Sequence, residues 1–112
     1  MIQTSYTDTL SGAAFLNTWQ VLLAGDEGAP ISGAQYTDKS MQVSGIFGGA
    51  SVSLQGSNDG VNWSVLHDTQ GNSLTASTSK LAVVAEATRY VKPVVTGGDG
   101  TTSLTVTILM KE

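Results

Sequence analysis

A histidine beside an aspartate, His67-Asp68, is where catalysis would have to start in this sequence, and His67 is its only histidine. Hydrolytic acyl transfer needs a nucleophile, a base and a third group that orients the base. No cysteine is present, and no serine sits in a Gly-x-Ser-x-Gly elbow. Acid-base work by paired carboxylates would need two acids held in contrasting environments. Asp59, Asp68 and Asp99 instead stand in turn-forming stretches, where aspartate is favoured for hydrogen bonds to nearby backbone. Their spacing fits no dedicated calcium loop. The expectation is a chain that is no enzyme, with no catalytic, metal-binding or cofactor-binding residues and no cofactor.

Two further stretches invite chemistry and have simpler readings. Gly97-Gly98-Asp99-Gly100 resembles a phosphate loop in composition, yet a strand pattern follows it and the Lys-Ser/Thr ending is missing, so it reads as a turn. Asn62-Trp63-Ser64 matches a glycosylation sequon in form only. Trp19 and Trp63 could stack on sugars or anchor a partner. Both lie among alternating apolar residues, and both are read as core. Tyr6, Phe15 and Tyr36 fall in less regular segments and are the candidates for contacts with other subunits or a larger assembly.

These residues must be positioned by strands. From about residue 17 onward apolar side chains recur with a period of two, and no stretch of ten shows a helical period. The clearest strand is 103–110, with Leu104, Val106, Ile108 and Met110 on one face and Ser103, Thr105 and Thr107 on the other. Further strands are expected at 18–23, 41–47, 51–55, 61–66, 80–85 and 89–95. Pro93 has no backbone N–H, which places its strand at a sheet edge or a bulge, or ends it there. Asp59-Gly60 and Asp99-Gly100 predict tight reversals. The hairpin over 51–66 is expected to point Val52, Leu54, Trp63 and Val65 inward. Residues 25–33 read as a long connection without structure. The domain organisation expected is an N-terminal arm or irregular first strand over 1–16, followed by one sandwich over 17–112. The fold class is all-β, a single-domain antiparallel β-sandwich of the jelly-roll kind.

Composition limits the partners. Only 12% of the 112 residues are charged, about half the usual share, and the surface must therefore be rich in hydroxyls. The formal net charge is −4, and the five basic residues are scattered, so no nucleic acid is expected as a partner. No segment is apolar for long enough to span a membrane as a helix. The first ten residues lack the basic start and apolar run of a secretory signal, which predicts synthesis in the cytoplasm.

The segment from Val52 to Leu66, with Gly56-Ser57-Asn58-Asp59-Gly60 and Trp63, followed by Arg89-Tyr90-Val91-Lys92-Pro93, carries a resemblance. It resembles the hairpin and strand of discoidin-like jelly rolls. It is also similar to small virion proteins of tailed bacteriophages, and there the likeness extends through Thr96-Gly97-Gly98-Asp99-Gly100-Thr101 to the last strand. In both, Trp63, Tyr90 and Gly60 look like a signature of the fold, with Trp63 as the core residue behind the hairpin. The phage resemblance implies a head decoration, or cement, protein. Such a protein would be made in the host cytoplasm and sit on the capsid surface of the virion. It would bind the major capsid protein as a dimer or trimer and stabilise the head. The alternative is a carbohydrate-binding or other tail or baseplate β-sandwich module.

Overall fold

Leu104, Val106, Ile108 and Met110 are almost completely buried, and they line one side of a nine-residue strand at the centre of a sheet. The computed structural model describes residues 1–10, 14–32 and 38–111. Among them are twelve strands: β1 (Ile2–Gln3), β2 (Tyr6–Thr9), β3 (Ala14–Leu22), β4 (Glu27–Gly28), β5 (Ile31–Ser32), β6 (Asp38–Ile46), β7 (Ser51–Ser57), β8 (Ser64–Val65), β9 (Thr75–Ala76), β10 (Lys80–Val83), β11 (Tyr90–Thr96) and β12 (Ser103–Lys111). No helix among the described residues is long and apolar enough to cross a membrane.

The strands form two sheets, and the all-β sandwich expected from the period of two is the architecture observed. The five-stranded sheet runs β10-β6-β12-β3-β2, antiparallel throughout. The seven-stranded sheet runs β1-β4-β11-β7-β8, with β5 also pairing β11 and β9 also pairing β7. Trp19, Leu22, Met41, Val43, Val52, Leu54 and Val91 join the β12 residues between the sheets, each fully buried. Each such side chain removed from water contributes about 1.5–3 kcal/mol, and this burial holds the two layers together.

Three expectations need correction. Residues 25–33 are not a structureless connection, because β4 and β5 both pair with β11 there. Pro93 is not at an edge: β11 is flanked on both sides, and Pro93 pairs with Leu54. The tolerance has a physical cause. Val95 N–H donates to Asp26 O at 2.8 Å, so by alternation the position of the missing Pro93 N–H also faces β4 and β5. That neighbouring strand is interrupted between Gly28 and Ile31, and no ladder bond is lost. Third, the 51–66 hairpin points Val52 and Leu54 inward as expected, but Gln55 pairs with Val65 and Gly56 with Ser64. Trp63 and Val65 therefore share the outward side with Gln55. A register one residue away from the one expected turns every side chain over.

Candidate functional site

The Gly56-to-Trp63 motif fixes a turn and ties it to a second strand. Ser57 Oγ accepts from Gly60 N–H at 2.9 Å, and Asp59 Oδ1 accepts from the N–H groups of Val61 and Asn62 at 2.8 Å each. These bonds, led by the one from Asn62, hold the Asp59 carboxyl far below the usual range. Gly60 has φ +77°, and a Cβ there would stand 3.5 Å from the Tyr90 ring. Asn58 Oδ1 accepts from Arg89 N–H at 3.0 Å, which joins the hairpin to the start of β11. Gly60, Tyr90 and Trp63 are thus gathered at one place.

That place is the outer side of the seven-stranded sheet, and Trp63 is half-buried there, away from the interior cluster. The core reading of Trp63 is corrected; Trp19 is the buried indole, its Nε1–H donating to Ala29 O at 3.1 Å. The Lys92 ammonium lies 4.4 Å from the centre of the Trp63 ring and 3.3 Å from Glu27 Oε1. Arg89 lies over the Tyr90 ring at 5.0 Å. Both aromatic rings carry a cation on one face, which holds them in place.

The opposite outer face belongs to the five-stranded sheet and is of another kind. Tyr6, 46% exposed, pairs with Thr18 on it, and its hydroxyl accepts from Gln20 Nε2 at 3.2 Å. Phe15 is half-buried and pairs with Met110 on the inward side. Tyr36 lies outside the described residues. At one end of this sheet a groove of about 640 Å³ is lined by Asp38, Ser40, Val83, Leu109 and Lys111, together with the buried Lys39. Burial pushes the Lys39 ammonium pKa down.

His67 has a partner that the sequence did not suggest. Its Nδ1 stands 2.7 Å from Glu86 Oε2, and its backbone N–H donates to Glu86 Oε1 at 2.7 Å. Burial pushes the Glu86 carboxyl up, but the His67 bonds outweigh it and hold the group below its usual range. Asp68, the sequence neighbour, turns instead to the N–H groups of Gln70 and Asn72. A carboxylate on Nδ1 is also how an imidazole is oriented in hydrolytic sites, but here both side chains stand well exposed to solvent. Among the described residues no three such side chains gather as metal ligands.

No protein-family model matches the chain, and no curated protein matches it. Solved structures do share its fold. The SPBc2 prophage-derived protein YomS superposes with a TM-score of 0.68 at 11% identity, covering 94% of this chain and all of that one. An RmlC-like cupin from Desulfovibrio desulfuricans matches with a TM-score of 0.53 at 11% identity, over 96% of this chain and 79% of its own. Peruvianin-I, a cysteine peptidase from Thevetia peruviana latex, matches with a TM-score of 0.51 at 12% identity, over 89% of this chain and 51% of its own. The chain shares with them an all-β sandwich of the jelly-roll kind.

This fold corrects the expectation that the chain is no enzyme. The sandwich is shared with a cupin and with about half of a protein described as a cysteine peptidase, so this fold does not by itself set the chain apart from enzymes. The expectation rested on contiguous motifs. Folding brings together residues far apart in sequence, such as His67 and Glu86 across 19 positions, and a search for local motifs cannot see such pairs.

Proposed function

We propose that this protein is a structural component of a bacteriophage virion, and specifically a decoration protein that binds the major capsid protein on the head exterior. The observation that carries the reading is the match to a prophage-derived protein over that protein's whole length, which makes the sandwich a free-standing phage-encoded unit there. Two features of the chain support it. Charge is sparse at 12% of residues, and depletion of charge is what marks the core of interfaces between proteins. Tyr6, exposed on the edge strand β2, is the residue we assign to contacts within the assembly, whereas Phe15 faces the inner side of the same sheet. Many weak copies on a lattice hold by avidity, so no single contact need be strong.

The test is direct. Purified protein added to heads that lack it should bind to saturation and raise their resistance to heat. Absence of both effects contradicts the proposal.

A further inference from the structure

β3 should alternate without interruption. Asn17 and Trp19 point inward, so Val21 should follow them, yet Val21 is 55% exposed and Leu22 takes the inward place. The register shows why: between Trp19 opposite Val106 and Leu22 opposite Leu104, two residues of β3 face Thr105 alone. This is a β-bulge, and Val21 has φ +56° within it. The left-handed region at such a bulge is the place of glycine, and for a β-branched residue it is strained by about 1–2 kcal/mol. The strain has one visible product, a valine placed on the outer side of the five-stranded sheet.

That side collects further exposed apolar groups. Leu81 and Val83 on β10 are 69% and 52% exposed, Ile46 on β6 is 59% exposed, and Tyr6 on β2 is 46% exposed. Between them run Ser40, Gln42 and Ser44 on β6 and Thr105 and Thr107 on β12, all by alternation on the same face. Among these central rows there is no charge. Asp38 and Lys111, one of each sign, stand opposite each other at one end, and Asp8 lies at the β2 margin.

We infer that this face docks against the same face of a second copy of the chain, across a two-fold axis; the inference deepens the decoration reading by naming the surface of self-association. Three observations select a second copy as the occupant. A like partner of a protein with net charge −4 repels it wherever acids lie, and this face is free of them at its centre. A two-fold interface must be self-complementary, and Ser, Thr, Gln and Tyr both donate and accept hydrogen bonds, so rows of them can meet their own kind. The size also fits. Three strands of nine residues and two of four, at about 4.8 Å between strands and about 3.3 Å per residue, present roughly 550 Å² of projected face per copy. Two copies then approach the ~1,200 Å² at which stable interfaces begin, before side-chain relief adds to it.

The test is sedimentation of the purified full chain at micromolar concentrations, with Leu81→Asp, Val83→Asp and the control Val61→Asp on the hairpin away from this face. Wild type and Val61→Asp should sediment as dimers. Leu81→Asp and Val83→Asp should keep their far-ultraviolet spectrum and melting temperature but associate about tenfold or more weakly. A wild-type chain that stays monomeric overturns the inference, as do Leu81→Asp and Val83→Asp dimers as tight as wild type. If a monomeric wild type binds heads and Leu81→Asp abolishes that binding, the face belongs to the capsid protein and the inference is wrong, while decoration stands. A dimer broken by Leu81→Asp whose wild type never binds heads supports the inference and removes decoration.

Discussion

The Lys92 ammonium is held between the Trp63 ring, 4.4 Å to its centre, and Glu27 Oε1 at 3.3 Å, on the outer side of the seven-stranded sheet. The Lys92 side chain is only 13% exposed, so this arrangement is screened better than a surface ion pair. A double-mutant cycle with Lys92→Met and Trp63→Leu should return a coupling of about 0.5–2 kcal/mol in denaturant unfolding. Independent effects of the two substitutions would show that the ring and the ammonium are mere neighbours.

The Asn58 side chain ties the turn to the residue that precedes β11, through Arg89 N–H. Asn58→Ala should cost about 1 kcal/mol, mostly by freeing the hairpin tip from the Arg89-Tyr90 pair. Amide exchange at Arg89 should rise while exchange in β12 stays protected. Uniform acceleration across the domain would contradict a local role.

Asp26 is 5% exposed and accepts from Gln3 Nε2 and Leu23 N–H at 2.9 Å each. Burial raises its pKa, but these bonds and the Met1 ammonium prevail and hold it below the ordinary 3.8. A group depressed in this way stabilises the fold above its unfolded pKa, and that contribution is lost as pH falls through the folded value. Asp26→Asn should therefore cost about 1–3 kcal/mol at neutral pH, and the gap from wild type should close below about pH 4. A gap unchanged between pH 7 and pH 3 would show that the charge does not matter.

Val21 lies two residues from Trp19 on one strand, yet Trp19 is fully buried and Val21 is 55% exposed. Asparagine tolerates the left-handed region better than valine does. Val21→Asn should raise the stability of the isolated chain by about 0.5–1 kcal/mol while weakening self-association. A destabilised Val21→Asn variant would mean that the bulge holds no strain.

The sequence was informative where one face of a strand is core and the other wet. Leu104 to Met110 and Val52 to Leu54 alternate cleanly, and their inward faces could be read directly. It was misleading where register decides orientation. Trp63 and Val65 alternate as well as Leu54 does, but the turn at Asp59-Gly60 sets their partners one position away, and alternation alone carries no origin. Pro93 misled for a related reason: its missing donor faces a break in the neighbouring strand, which is a property of residues 28–31. The His67–Glu86 pair joins two loops across 19 positions, and no local spacing announces it. Val21 could have been noticed only as a residue at which the inward alternation of β3 gains an extra member before Leu22.

The central claim is that this sandwich decorates a phage head, and electron microscopy of virions labelled with an antibody to the chain tests it most directly. The account predicts label spread over the head surface and absent from particles of a deletion mutant. Label confined to the tail or baseplate, or none on intact virions, would contradict it.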